Sequence, residues 1–546
     1  MKKFILIIFI VALSAASGFS QTVPALIKMD TVVTNSVGTK TFYLKNPTSL
    51  QMHITNIRTV TSKFYFTINS LTINPFDSVQ VTVYFRTNQN ITYRDFLIFE
   101  TTGGHFPLIN YSLATAKYPE SYYSFSQGLF DEALKTAIRT YTTTGFISLG
   151  YNTARDKMFE TVDDYNNDDS IECVYIGRKI KAANRTEAQN QNFNTEHTLP
   201  QSFFNEAEPM RSDLYHLYPT DNTPNNYRSN YNFGHVVSNI TYENNGSKLG
   251  KDSTGQIVFE PRDVHKGNVA RSLFYFVTKY GNPESYLTLK EETVLRWWNV
   301  SDTVDARERT RNIRIKSFQN VFNPFIDHPE LADRITSFYT TANATPKGKI
   351  SAAPWSVYYD TTKAGDTSSY YVAIMNYGNA ALTISSVTSS SNAFIVESVP
   401  STISAGELAY AKVKFKPTAP YTVYNGVLTI ANSDSVKTVL LKGVSGQTLG
   451  IEQIGSKVPT EYTLEQNYPN PFNPQTNIEF GIPKASFVNL SVYNISGKKV
   501  ASLYENNLAA GRYSFRFMSD GLSSGIYFYK LTAGDFSEVK RMIVVK

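Results

Sequence analysis

The segment Asn194-Thr195-Glu196-His197-Thr198-Leu199-Pro200-Gln201-Ser202 sets a carboxylate directly beside an imidazole. The carboxylate is a hard oxygen ligand for a divalent cation, and the imidazole is a base of near-neutral pKa. The pair suits phosphodiester hydrolysis, in which a cation holds phosphate oxygens while the imidazole takes a proton from water. Taken alone, the dipeptide is more often an ordinary polar loop. Downstream lie Ser212-Asp213-Leu214-Tyr215-His216-Leu217-Tyr218-Pro219-Thr220-Asp221 and Asn225-Asn226-Tyr227-Arg228-Ser229-Asn230. Their density of Asn, Asp, Ser and Pro reads first as a turn-rich surface loop. An amide oxygen is also a hard-cation ligand that leaves positive charge on the ion uncancelled.

Residues 118–345, which hold these segments, carry helical patterns at Phe130–Ile138, Asn268–Val277 and Glu291–Trp298. Five of the seven histidines fall here. His216, His235, His265 and His328 read as structural or satisfied polar groups. On either side the pattern changes to period-two runs separated by turn residues, as in a β-sandwich. Residues 22–117 and 346–447 are read as two diverged copies of one such sandwich. Phe42-Tyr43-Leu44-Lys45-Asn46 parallels Tyr371-Val372-Ala373-Ile374-Met375-Asn376, and Phe96-Leu97-Ile98-Phe99 parallels Val427-Leu428-Thr429-Ile430. A linker at 448–458 precedes a third β module at 459–546. Its entry, Tyr468-Pro469-Asn470-Pro471-Phe472-Asn473-Pro474, is neither helix nor sheet interior.

Lys2 and Lys3 ahead of the apolar run Phe4–Leu13 read as a signal peptide over residues 1–20. No other run is long and apolar enough to span a membrane, so no stable membrane span is expected. Cys173 is the only cysteine, which excludes an internal disulfide. It sits in the apolar, strand-like run Cys173-Val174-Tyr175-Ile176 and reads as a core residue. The net charge of +6 does not mark a nucleic-acid surface. Between residues 118 and 345 acids outnumber bases by 29 to 24. Only local basic runs could track phosphates: Arg178-Lys179-Ile180-Lys181, and Arg307, Arg309, Arg311, Arg314 and Lys316. The plain reading of the latter is a solvated helix face.

Taken in order with Phe259-Glu260-Pro261-Arg262, Lys266-Gly267-Asn268-Val269-Ala270-Arg271, Arg311-Asn312 and Asn323-Pro324-Phe325-Ile326-Asp327-His328-Pro329-Glu330, these motifs resemble the endonuclease I family. The resemblance implies a multidomain chain whose α+β His-Me finger (ββα-metal) nuclease domain is flanked by immunoglobulin-like β-sandwich domains. It implies His197 as general base. It implies Glu196 and Asn225 as ligands of one Mg²⁺, or another divalent cation such as Ca²⁺ or Mn²⁺, with Asn226 the neighbouring alternative to Asn225. Glu196 and His197 would lie on a hairpin and Asn225 on the following helix, and the product would carry a 5′-phosphate. Arg211 and Arg228 are the candidates for binding substrate phosphate. The chain departs from the family at Trp297-Trp298-Asn299 and Asn320-Val321-Phe322-Asn323, which bear on specificity more than on catalysis. The flanking sandwiches resemble HYDIN-like or choice-of-anchor domains. The segment 459–546 resembles a type A sorting domain of type IX secretion, through Asn467–Pro474, Gly511-Arg512-Tyr513, Gly525–Tyr529 and Lys540-Arg541-Met542.

The expectation is a nuclease, secreted or held at the cell surface by way of the periplasm. It would cleave DNA and possibly RNA with little sequence specificity, since phosphate contacts do not read bases. The alternative is an inactive surface adhesion or nucleic-acid-binding protein. A Ser hydrolase is disfavoured. The match Gly521-Leu522-Ser523-Ser524-Gly525 is followed by a strand-like run, where a nucleophile elbow needs a helix.

Overall fold

The computed structural model describes residues 26–46, 49, 51–102, 107–282, 286–397, 399–419, 422–445, 452–455, 458–519 and 522–545. The expected signal peptide and much of the expected linker lie outside them. The chain divides into two compact units. One holds the first sandwich, apart from Glu100–Pro107, and the region through Lys347; the other holds Glu100–Pro107 and the chain from Gly348 onward.

The two β regions share the pairing of their central strands. In the first sandwich, Gly38–Lys45 pairs antiparallel with Ser78–Phe85. In the second, Ser368–Asn376 pairs in the same way with Leu408–Phe415. Thr92–Thr102 lies between Leu108–Lys117 and Met52–Thr59, just as Val423–Asn432 lies between Lys437–Val444 and Leu382–Ser389. The asparagines that close the paralleled runs do the same work in both copies. The buried Asn46 amide donates to Ile73 O at 3.1 Å, and the buried Asn376 amide donates to Ile403 O at 2.9 Å. The C-terminal module packs two four-stranded sheets. Its entry segment is held by Tyr529, whose hydroxyl donates to Glu465 O and accepts from Asn467 N. Gly525 opens the strand Gly525–Ala533, so the Ser523-Ser524 run leads into a strand and not a helix.

Between the sandwiches lie α1 (Asp131–Thr143), α2 (Tyr151–Lys157), β1 (Ser170–Glu172), β2 (Lys179–Lys181), α3 (Arg185–Asn190), β3 (Phe193–His197), β4 (Leu217–Asp221) and α4 (Asn222–Arg228). They are followed by β5 (Ser238–Asn244), β6 (Ser247–Lys251), β7 (Ile257–Glu260), α5 (Asp263–Tyr280), α6 (Leu289–Ser301) and α7 (Ala306–Gln319). The three helical patterns thus fall in α1, α5 and α6. α5 is buried almost all round, as a central core helix must be. Cys173 is fully buried, but the run Val174–Ile176 is a turn joining β1 to β2 instead of a strand. Three apolar residues in a row do not distinguish a strand from a buried turn.

The basic run on α7 is a solvated face only in part: Arg309 and Lys316 are exposed, whereas the others are drawn inward. Arg311 is 1% exposed and pairs with Asp163 at 3.0 Å. Its guanidinium also donates to the carbonyls of Leu214 and Leu217. Asn312 accepts from Tyr215 Oη at 2.8 Å, and Gln319 accepts from Leu214 N at 2.9 Å. Arg307 reaches Glu172, and Arg314 caps the carbonyls of Thr161 and Asp164. One face of α7 therefore fixes the segment that leads into β4. Asp305 caps the start of α7 through Glu308 N, and Asn320, in the left-handed region, ends it.

The first sandwich is joined to this region through Arg334. Its buried guanidinium bonds Asn90 Oδ1 and the carbonyls of Ser126 and Leu129. Asn90 donates in turn to Ser126 Oγ at 3.0 Å. Arg311→Ala would leave Asp163 buried without its counter-charge. We expect it to destabilise the first unit by about 3–5 kcal/mol. Denaturant unfolding that shows a loss below about 1 kcal/mol would contradict the buried-pair account.

Candidate active site

β3 and β4 pair antiparallel, with Glu196 opposite Tyr218 and His197 opposite Leu217. α4 begins at the residue after β4. The hairpin-then-helix order expected for Glu196, His197 and Asn225 is present. Neighbouring residues of a strand point to opposite faces, and the two side chains have separate surroundings.

Glu196 is 4% exposed. Its Oε1 accepts from Tyr175 Oη at 2.7 Å and lies 3.1 Å from Arg228 Nε. The Arg228 contact is an ion pair at short range and not a directed hydrogen bond, since Nε meets no acceptor along its N–H. Both contacts fall on Oε1; Oε2 carries neither. Burial pushes the Glu196 carboxyl up, against the pull of Arg228 and the Tyr175 hydroxyl. Arg228 is itself 1% exposed and donates to Thr198 O at 2.6 Å and Ser229 O at 2.8 Å. This answers the expectation that Arg228 binds substrate phosphate. Its guanidinium faces Glu196 and donates to backbone carbonyls, and it is 1% exposed. The cause is plain: a buried carboxylate needs a counter-charge.

Asn225 stands three residues before Arg228 on α4 and so shares its face. Its side chain is half-buried and makes no hydrogen bond among the described residues, whereas Asn226 is exposed. The backbone carbonyl of Asn225 accepts from Ser229 N. Of the two neighbours, Asn225 is the one turned inward.

His197 ends β3 and is 7% exposed. Its Nε2 lies 3.3 Å from Arg211 O. A carbonyl can only accept, so Nε2 carries the proton and the lone pair is on Nδ1. Burial, His216 and the Arg211 and Arg155 guanidiniums hold the imidazole well below the usual histidine range, against the Arg211 carbonyl. It is neutral at pH 7. His216 backs it at 5.3 Å between ring centres and donates from Nε2 to Met210 O at 2.7 Å. Burial takes His216 down to about 4, with Asp213 opposing. Asp213, behind it, accepts from Lys279, Tyr275 and Tyr280.

The guanidinium of Arg211 lies 4.1 Å above the ring of Tyr151, bonds Gln201 Oε1 and pairs with Glu206. It stays partly exposed beside His197. His235 meets Glu260 at 3.1 Å, and His328 meets Glu330 at 3.2 Å while stacking on Tyr118. Each has one ring nitrogen bonded to a carboxylate, but the buried Nε2 of His328 makes no hydrogen bond, only an ion-pair approach to Glu120 at 3.3 Å. The buried Nε2 of His265 likewise has no hydrogen-bond partner, and its ring sits edge-on to Tyr175 and Tyr218. Arg178 is held by Asp221 and by the ring of Phe193, while Lys179 and Lys181 of the same run are exposed.

Sequence reasoning missed Tyr175, Tyr151 and Arg155. Tyr175 was counted with a strand. Tyr151 and Arg155 stand four apart on α2, a spacing that faces one side of a helix, but nothing in the sequence ties α2 to β3. No cluster of three or more His, Cys, Asp or Glu side chains with metal-site geometry occurs among the described residues.

Residues 129–330 match the Endonuclease I family, 360–444 the HYDIN/CFA65/VesB-like, Ig-like domain, and 466–545 the Secretion system C-terminal sorting domain. The chain is 32% identical over 237 residues to an extracellular ribonuclease of Bacillus amyloliquefaciens, covering 40% of this chain and 78% of that protein. It is 30% identical over the same length and shares to an extracellular ribonuclease of Bacillus subtilis (strain 168). A periplasmic deoxyribonuclease of Aeromonas hydrophila is 28% identical over 127 residues, 22% of this chain and 50% of that protein. The protein is secreted or placed at the cell surface. All the motifs built into the β3–β4–α4 site lie inside the 129–330 match, and the chain belongs to the endonuclease I family of nucleases.

Proposed function

We propose that the protein is a divalent-metal-dependent endonuclease of the His-Me finger type that hydrolyses phosphodiester bonds of DNA and RNA with little sequence specificity. The observation that carries this is the state of His197: neutral, with Nε2–H committed to the Arg211 carbonyl and the lone pair on Nδ1. An imidazole so fixed can take a proton from water as the water attacks phosphorus. Arg211, partly exposed beside it, offers its guanidinium to a phosphate oxygen. Relatives named for RNA and for DNA both support a site that does not discriminate the sugar.

Glu196 and Asn225 are the residues that would hold a divalent cation: Mg²⁺, or Ca²⁺ or Mn²⁺. The fit rests on an Oε2 clear of the Tyr175 and Arg228 contacts, and on an inward amide without a partner. When bound, the cation supplies Lewis-acid stabilisation of charge on the phosphate. Tyr175 and Arg228 keep the Glu196 carboxylate oriented. Residues 1–20 act as the export signal, and the C-terminal module acts as an address for type IX secretion.

His197→Ala should lower single-turnover cleavage by about 10²–10⁴ with substrate binding kept. A rate within about threefold of the unmodified protein would remove His197 from the mechanism. Excess chelator should abolish nicking of a plasmid, and Mg²⁺ should restore it. Asn225→Ala should raise the Mg²⁺ concentration needed for half-maximal activity, whereas Asn226→Ala should not. Full activity in chelator would sink the metal assignment. Removing residues 459–546 should leave specific activity intact and strand the truncated protein in the periplasm of its host. Inactivity of the purified truncation, or export undiminished, would each count against the module as a separate address.

A further inference from the structure

Tyr151 lies 5.5 Å from the His197 ring, centre to centre. Two guanidiniums attend it: Arg211 at 4.1 Å and Arg155 at 5.1 Å from the ring centre. Arg185 adds a third positive charge close enough to be felt at Arg155. The crowding is unexpected in a segment where acids outnumber bases by 29 to 24.

The three arginines are not equally occupied. Arg185 pairs with Asp156 at 3.1 Å and donates to Asn152 Oδ1. Arg211 pairs with Glu206 and Gln201. Arg155 has no carboxylate in ion-pair range among the described residues. Its one bond runs from Nε to Thr195 Oγ1 at 3.0 Å, which aims the guanidinium from α2 toward β3. Thr195 is buried and two residues before His197, on the same side of the strand. Both terminal nitrogens of Arg155 are left without a protein acceptor. Burial and the neighbouring arginines lower its pKa, with Tyr151 and Asp156 opposing, so an added anion would relieve an unfavourable local charge. A fork of two donors on a guanidinium fixed at Nε matches phosphate geometry.

We propose that Arg155 binds a second phosphate of the nucleic-acid backbone, flanking the one cleaved, so that Tyr151, Arg155 and Arg211 form a phosphate-tracking face beside His197. The proposal rests on the reading of His197 as the catalytic base. It makes the enzyme sensitive to substrate length: a substrate with a single phosphodiester cannot reach Arg155, and a longer strand can.

The test is binding of a fluorescein-labelled single-stranded DNA of about 16 nucleotides to the full chain carrying His197→Ala, in chelator, over a series of salt concentrations. Adding Arg155→Ala should weaken binding about 5–10-fold at low salt and reduce the slope of log K against log salt by about 0.7, the share of one phosphate on a single strand. Arg155→Lys should keep the slope. Thr195→Val, which removes the anchor but not the charge, should change it little. Should Arg155→Ala fail to fold, Arg155→Gln keeps a donor toward Thr195 and carries the same expectation. With His197 intact, the loss should fall on KM more than kcat, and only for substrates of several nucleotides. An unchanged slope, or equal weakening at every salt concentration, would overturn the proposal. A failure of the nuclease reading would appear separately, as absence of cleavage by the unmodified protein while the binding slopes remain measurable.

Discussion

The Glu196 carboxylate is almost wholly withdrawn from water, and much of the catalytic region is arranged around that charge. A buried carboxylate without compensation protonates or destabilises the fold. Here Tyr175 donates to it from the β1–β2 turn, and Arg228 faces it from the end of α4. Three separate stretches of chain are thereby tied to one oxygen atom. Because Arg228 is pinned, the helix that carries it is pinned, and with it the inward amide of Asn225. The second oxygen carries neither of these contacts.

A second constraint acts from behind. β4 is short, and two strands alone would not hold a histidine in one place. The segment leading into β4 is bonded at Leu214, Tyr215 and Leu217 by side chains of α7, which Asp163 anchors through Arg311. His216 and Asp213 belong to the same segment and fill the space under His197. His197 is therefore positioned by a polar scaffold in which most buried side chains are bonded to partners from distant segments. Some buried nitrogens stay open, among them His265 Nε2, His216 Nδ1 and Arg311 Nη1. Such networks hold a geometry well when complete and poorly when one member is lost.

Much of this was legible in the sequence. The pairing of the sandwich strands follows from period-two runs and from the asparagines at 46 and 376. The helices follow from their apolar spacing. The Glu-His dipeptide and the Asn-rich stretch could be joined only through family resemblance, because their meeting depends on a pairing across some twenty residues of loop. Arg228 was misjudged because exposure of an arginine cannot be read from its neighbours in the chain. The α7 run was misjudged in part, for a related reason. A row of arginines at helical spacing looks solvated until the partners, Asp163 and the Leu214 and Leu217 carbonyls, are known to come from distant segments. Tyr175 was hidden by a turn that imitates a strand.

The Arg334 junction bears on how such a chain can have been assembled. Asn90 belongs to the first sandwich, Ser126 and Leu129 to the start of the catalytic region and Arg334 to its end, and all three meet at one guanidinium. A recombination event that swapped in a foreign sandwich at residue 118 would take Asn90 from that guanidinium and leave it only the Ser126 and Leu129 carbonyls. The first sandwich is for that reason a poor bead on a string. Ancestry should have carried it together with the enzyme, with Asn90 and Arg334 changing in concert or not at all.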